Sequence, residues 1–213
     1  IVKTIESDKI KKEIIDADVM LALRFNAELL AQAKKLRWIQ SVGAGVESFL
    51  FPEFVGSHVI LTNASGIHPK QISEHVLGLI LAFTRRLNIF MRWQLQRKWE
   101  RLGADELTGK VLGIVGLGSI GNEIARKAKC FDMTVIATKR SPAAKPAYVD
   151  ELLPHTGLGE LLRKSDFVVL SVPLTPETYH MIGEKELRIM KKESILINIG
   201  RGKLIDENVL IKA

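Results

Sequence analysis

Glycines at positions 116, 118 and 121 are the residues of this chain whose spacing most directly implies chemistry. In Gly116-x-Gly118-x-x-Gly121 they allow a tight turn, close backbone approach by a pyrophosphate and tight helix–strand contact, provided a strand precedes them and a helix follows. The sequence supplies both. Val111–Val115 is an almost unbroken apolar run, and beyond the glycines Ile120, Ile124, Ala125 and Ala128 recur at helical spacing. The free N–H groups at Ser119 and Ile120 then offer the phosphates of a dinucleotide the positive end of a helix dipole. The alternative is a glycine-rich turn with no ligand.

The next strand, Met133–Thr138, runs into Lys139-Arg140-Ser141. An acidic residue at such a strand end accepts the ribose hydroxyls of NAD, whereas a basic one accommodates the 2′-phosphate of NADP. Thr138, Lys139, Arg140 and Ser141 offer two cations and two hydroxyls without a carboxylate, so NADP is the expected cofactor and NAD the alternative. The competing reading has both basic side chains pointing into water. Ser41-Val-Gly43-Ala44-Gly45-Val-Glu47 closes another strand, and the backbone of Ala44 and Gly45 suits a carboxylate there; an ordinary strand-to-helix turn explains it equally well. His75 beside Glu74 is a weak catalytic pair, because residues one apart on a helix diverge, and a structural histidine is the plainer reading.

The elements that must position these residues alternate. Ile1–Ile5 reads as a strand, Ser7–Ala17 as a helix with Ile10, Ile14 and Ile15 inward, then come strand Asp18–Leu23, helix Asn26–Lys35, and strands Arg37–Val42 and Val59–Asn63. Pro69–Leu87 is the strongest helix, with Ile72, Val76, Leu79, Ile80, Phe83 and Leu87 repeating at helical spacing; a domain boundary is expected near it. Asn88–Leu102 carries Phe90, Met91, Trp93 and Trp99 among basic residues and suits either a subunit contact or core packing. After the glycine loop, Ser141–Pro146 reads as a turn, Leu158–Arg163 and Lys185–Lys191 as helices, Asp166–Val172 and Ser194–Ile199 as strands, and Asp206 as the cap of a last helix, Glu207–Ala213. The pattern is α/β with parallel sheets.

Composition narrows the class. A chain of 213 residues with 46% hydrophobic residues can bury a sizeable core and lies between one domain and two. The net charge of +7 comes from scattered basic residues with no aromatic-interleaved patch, so neither nucleic acid nor a membrane is an expected partner. Cys130 is unpaired and expected in the core, no apolar run is long enough to span a bilayer, and a reducing, cytoplasmic setting follows. No metal site is expected. The first residues lie inside structure and the last helix leads into no strand, so the sequence reads as clipped at both ends.

Taken together, Ser41-Val-Gly-Ala-Gly-Val, Asn63-Ala-Ser-Gly followed by the Ser73-Glu-His helix, Gly116-Leu-Gly-Ser-Ile-Gly, Val172-Pro-Leu-Thr-Pro-Glu-Thr and Asn198-Ile-Gly-Arg-Gly resemble the D-isomer-specific 2-hydroxyacid dehydrogenases, in family order across nearly the whole chain. The resemblance implies two Rossmann-like parallel-sheet domains around a cleft: residues 1–70 as the flavodoxin-like substrate domain and 71–213 as a dinucleotide-binding domain incomplete at its C-terminus. It implies hydride transfer between a nicotinamide cofactor and C2 of a 2-oxo or 2-hydroxy acid, in a homodimer. It makes Arg201 the catalytic arginine, Ala44 and Gly45 the substrate-carboxylate N–H groups, and Val172, Pro173, Thr178 and Ile199 part of the cofactor lining. Two departures stand out. The family's acid/base histidine and its glutamate partner have no counterpart in these residues, so this polypeptide alone is expected to be inactive, and Lys139 stands where NAD-using members usually carry aspartate. An NADP-linked reductase of a small 2-oxo acid is the first reading, an NAD-linked member the second, and a nucleotide-sensing corepressor-like binding module the third.

Overall fold

The computed structural model describes residues 1–141 and 144–213; Pro142 and Ala143, within the expected Ser141–Pro146 turn, lie outside the described residues. Two units divide the chain, Ile1–Ile67 and His68–Ala213.

In the first unit, α1 (Ser7–Glu13), β1 (Val19–Ala22), α2 (Ala27–Gln32), β2 (Trp38–Ser41), α3 (Pro52–Val55) and β3 (Ile60–Thr62) follow in order. The three strands form one parallel sheet in the order β1-β2-β3. Asn26 starts α2 by accepting the Leu29 N–H at 2.9 Å, and Pro52 occupies the first turn of α3, where its missing N–H costs nothing. Ile14, Phe25, Leu36, Ile39, Phe49 and Phe54 make the core, with Phe25 and Phe54 edge to face at 6.1 Å. On the other face of the sheet Val19, Trp38 and Ile60 stay 53%, 41% and 63% exposed. The expected strand at Ile1–Ile5 does not form: Ile1, Val2 and Ile5 are exposed and no ladder partner faces them among the described residues, so an apolar alternation has nothing to bury. Ile15 also faces solvent, because α1 ends before it can complete the apolar stripe.

The second unit opens with α4 (Pro69–Thr84) and α5 (Leu87–Leu95). Arg86 adopts φ 57°, a left-handed conformation that ends the expected Pro69–Leu87 helix early and re-aims the chain, leaving Phe83 and Leu87 exposed. Then come β4 (Val111–Val115), α6 (Ser119–Ala128), β5 (Thr134–Lys139), β6 (Glu151–Pro154), α7 (Leu158–Lys164), β7 (Phe167–Leu170), α8 (Glu184–Ile189), β8 (Ile195–Asn198) and α9 (Glu207–Leu210). The five strands are parallel in the order β6-β5-β4-β7-β8. The chain therefore starts in the middle, builds outward through β5 and β6, and crosses over to build β7 and β8. The order reverses between β4 and β7, the place where open parallel sheets bind ligands.

Period-two alternation assigns each strand residue to a face. Leu112, Ile114, Val135 and Ala137 pack with Val76, Leu77 and Ile80 of α4 and Ile124, Ala125 and Ala128 of α6; Val115, Ile136, Val168 and Leu170 pack with Leu161 and Leu162 of α7. Both faces are covered, which is why these strands read as continuous apolar runs. At the amino ends, two carboxylates latch strand starts. Asp166 accepts the Val111 N–H at 2.7 Å and pairs with Lys191 at 2.8 Å; Asp150 accepts the Val135 N–H at 2.7 Å and pairs with Lys129 at 2.9 Å. Burial works against ionisation of both, but these donors outweigh it and hold each pKa below the usual aspartate value. Cys130 is exposed rather than in the core, since it falls just past the apolar stripe of α6.

Candidate functional site

The glycine loop leaves β4 at its carboxyl end. Gly116 has φ +98°, and a Cβ there would lie 2.6 Å from Val172 Cγ1 and 2.7 Å from the Ser171 carbonyl oxygen, so the loop passes against the end of β7 with room only for hydrogen. At Gly121 a Cβ would lie 2.5 Å from the Gly116 carbonyl oxygen, which fixes how closely α6 approaches the loop. At Gly118, by contrast, a Cβ would meet nothing within 4 Å. The loop is thus closed on its protein side and open at Gly118.

Thr138 holds the loop from β5. It is 3% exposed, its hydroxyl accepts the Gly116 N–H at 3.2 Å, and its carbonyl accepts the Leu117 N–H at 2.9 Å. The expectation that Thr138 offers a hydroxyl to a 2′-phosphate is therefore corrected: burial and this bond make it scaffold. Among the described residues, the N–H groups of Ser119, Ile120 and Gly121 have no partner, as the first turn of a helix requires. Lys139 is half-buried at the end of β5, and Arg140 and Ser141 are exposed beyond it. The Glu177 carboxyl is held below its usual range by the Thr175 hydroxyl first and its own N–H next, with the charge of Arg140 adding to both, so Arg140 and the loop after β7 share this edge.

That loop begins with half-buried Val172 against Gly116 and exposed Pro173. The Thr178 hydroxyl donates to the Pro173 carbonyl at 2.7 Å and accepts the Thr175 N–H at 2.8 Å, closing the loop on itself. At the end of β8, half-buried Ile199 packs on the core while its N–H donates to the Leu170 carbonyl at 3.2 Å. Arg201 follows with its side chain exposed, and its Nη1 donates to the Gly200 carbonyl at 3.1 Å. The His180 N–H donates to the Lys203 carbonyl at 2.8 Å and the Ile182 N–H to the Leu204 carbonyl at 3.0 Å, so the loops after β7 and β8 are tied together. Gly116, Gly118, Ser119, Ile120, Gly121, Lys139, Val172 and Arg201 accordingly lie along the carboxyl edge of one sheet.

In the first unit, Ala44 and Gly45 stand at the carboxyl end of β2. The Gly43 N–H donates to Ser41 Oγ at 3.2 Å, the Ala64 N–H to the Gly43 carbonyl at 3.1 Å, and Asn63 Nδ2 to the Ala44 carbonyl at 2.7 Å. Neither the Ala44 nor the Gly45 N–H has a partner among the described residues. His75 is exposed on α4 rather than held as a structural histidine, while Glu74 pairs with Lys127 at 3.0 Å. Sequence reasoning also missed the Asn63 bond, although asparagine just past a strand is the available signal for such a brace.

Residues 77–213 match the family model described as D-isomer specific 2-hydroxyacid dehydrogenase, NAD binding domain. The chain belongs to this family. A glyoxylate reductase of Thermococcus gammatolerans is 38% identical over 211 residues, covering 93% of this chain and 62% of that protein. A D-isomer specific 2-hydroxyacid dehydrogenase family protein of Aeromonas salmonicida superposes with a TM-score of 0.90 at 34% identity, over 98% of this chain and 67% of its own. A D-lactate dehydrogenase of Aquifex aeolicus, solved with NAD and lactic acid, gives 0.82 at 27% identity, over 95% of this chain and 62% of its own. The chain spans less than two thirds of the Thermococcus protein's length. As a member of the family it carries the nicotinamide-dinucleotide-binding domain in its second unit, and no described helix is long and apolar enough to cross a membrane.

Proposed function

We propose that the whole protein is a reductase that moves a hydride between a nicotinamide cofactor, NADP in preference to NAD, and C2 of a small 2-oxo acid such as the glyoxylate for which its relatives are named. The observation that carries this reading is the alignment of three partnerless helix N–H groups, the open side of Gly118 and Arg201 along the carboxyl edge of one sheet. Ser119, Ile120 and Gly121 bind the pyrophosphate through their N–H groups. Val172, Pro173, Thr178 and Ile199 line the cofactor. The nicotinamide, when bound, supplies the hydride. Arg201 grips the substrate carboxylate and draws on the 2-oxo oxygen as negative charge develops there, and the Ala44 and Gly45 N–H groups receive the carboxylate. No histidine of this chain is assigned the proton transfer.

Cofactor preference rests on Lys139, Arg140 and Ser141, because a 2′-phosphate takes charge-assisted bonds that a ribose hydroxyl cannot match. A homodimer is part of the same proposal, supported by Phe83, Leu87, Met91, Leu95 and Trp99, which recur every fourth residue at 45%, 47%, 67%, 87% and 95% exposure. A cytoplasmic setting fits the lone exposed thiol. The test is a panel of 2-oxo acids with NADPH and NADH oxidation followed by absorbance on the whole protein, with sedimentation for the dimer. Turnover of no 2-oxo acid with either cofactor would overturn the enzymatic reading and favour a binding module.

A further inference from the structure

The loops after β7 and β8 are joined outside the five-stranded sheet by a short parallel ladder. The His180 N–H donates to the Lys203 carbonyl at 2.8 Å, the Ile182 N–H to the Leu204 carbonyl at 3.0 Å and the Asp206 N–H to the Ile182 carbonyl at 3.0 Å, with Ile182 opposite Ile205. Arg201 starts the turn that this ladder holds, because its carbonyl accepts the Leu204 N–H at 3.1 Å. The place of the Arg201 backbone therefore depends on how firmly residues 203–206 are held against residues 180–182.

His180 is the odd residue of the ladder. The N–H groups of Thr178 and Tyr179 both donate to the Thr175 carbonyl, at 3.1 and 2.9 Å, and the chain leaves this turn through His180 at φ 51°. Glycine and asparagine end helical turns in that left-handed conformation with the least strain, so a histidine held there implies that its side chain is needed. The imidazole stacks on Tyr179 with ring centroids 4.0 Å apart, and its Nδ1 lies 3.8 Å from Asp206 Oδ2. At that separation the contact is electrostatic rather than a hydrogen bond, and strongest with the imidazole protonated. Asp206 divides its oxygens. Oδ1 accepts the Asn208 and Val209 N–H groups at 3.1 and 3.4 Å and so caps α9, while Oδ2 is left to face the imidazole.

We propose that His180 is a positioning residue that, paired with Asp206, holds the Arg201 turn against the loop after β7 and so fixes where the guanidinium meets the substrate carboxylate. This rests on the role given to Arg201 above. A histidine with only a structural part makes the opposite prediction, because glycine at φ 51° relieves strain and leaves turnover unchanged.

The experiment measures kcat and KM for the best 2-oxo acid at mildly acidic pH, NADPH dissociation constants by fluorescence, and thermal melting, in the whole protein carrying His180→Gly, His180→Asn, Asp206→Asn or His180→Gly with Asp206→Asn. Glycine and asparagine both accept the left-handed backbone, and asparagine keeps it stiff. Asp206→Asn keeps an N-cap oxygen for α9 while removing the charge that faces the imidazole. All three single variants are expected to melt within about 3 °C of wild type. Each should nonetheless lower kcat/KM for the acid by about two- to fivefold, the worth of one partly exposed ion pair, with NADPH binding changed less. The double variant should fall no further than either single one, since both remove the same contact. Wild-type kcat/KM in His180→Gly, full recovery by His180→Asn, additive losses in the double variant, or losses that track melting temperature would each overturn the positioning role. Arg201→Ala separates this from the functional reading: if it loses activity while the His180 variants match wild type, only the role of His180 fails, and if it keeps activity, both fail.

Discussion

The two units hold their candidate loops by different means. In the second, the glycine loop is wedged: added Cβ atoms at Gly116 and Gly121 would fall 2.5–2.7 Å from neighbouring atoms, two of them backbone carbonyl oxygens. In the first, the Gly43–Gly45 turn is held by hydrogen bonds, and a Cβ at Gly43 would meet its nearest neighbour at 3.9 Å. Steric wedging admits one residue type, and so leaves a strict pattern in the sequence. Hydrogen-bonded support tolerates several, and leaves a weak one. The units also divide the proposed chemistry, with side-chain charge at Arg201 in one and backbone N–H groups at Ala44 and Gly45 in the other.

The largest expected effect sharpens that division. Arg201→Ala should lower kcat/KM by about 10²–10³, the typical worth of one preorganised donor, with the cofactor dissociation constant little changed. Ala44→Ser, which keeps the N–H, should stay near wild type. An Arg201→Ala enzyme of wild-type kcat/KM would take Arg201 out of the mechanism. Next comes cofactor choice, which the second unit should set alone. Two charge-assisted bonds of about 1.5–3 kcal/mol each favour NADP by roughly a hundredfold or better. Lys139→Asp combined with Arg140→Ala should weaken NADPH and strengthen NADH, and equal equilibrium affinity of the wild type for the two would remove the assignment.

Wedging itself is broken by Gly116→Ala, which combines an unfavourable backbone conformation with overpacking against Val172 and should destabilise by about 1–3 kcal/mol and abolish tight dinucleotide binding. Gly43→Ala should cost well under about 1 kcal/mol, since the added methyl meets only van der Waals contact. Equal melting temperatures for the two variants would erase the contrast between the units. The smallest effect concerns the latch at the start of β4. Because the folded pKa of Asp166 is depressed, its stabilisation is fully present above the unfolded value of about 3.9 and is lost as pH falls through the lower folded value. Asp166→Asn should cost about 1 kcal/mol at neutral pH, discounted for its partial exposure, and should flatten the acid limb of the denaturation curve. An unchanged acid limb would show that the latch carries no linkage.

What was legible follows the same physics. The buried strands β4, β5 and β7 and the glycine loop stood out because both faces of the sheet are covered and the wedge excludes side chains. β6 was missed: Glu151–Pro154 is a short, half-buried edge strand ending in proline, with no apolar run to betray it. α3 was missed because four residues carry too little periodicity, although Phe54 is buried. Ile1–Ile5 was over-read, and Cys130 misplaced, because composition identifies apolar residues without saying whether anything lies opposite them. The roles of Arg201, Ala44 and Gly45 came through resemblance, since an exposed arginine and a turn without close contacts carry little local signal. The Asn63 bond to the Ala44 carbonyl went unseen because its two ends lie 19 residues apart in the chain.

The bare face of the first unit's sheet has a kinetic consequence. Its ladders join strands of three or four residues with Val19, Trp38 and Ile60 open to solvent, whereas β4 is paired on both sides and buried from Leu112 to Val115. Amide protons of Met20–Ala22 and Ile39–Ser41 should therefore exchange with deuterium through local opening, well before those of Leu112–Val115, Val135–Thr138 and Val168–Leu170, which are released only when their whole unit unfolds.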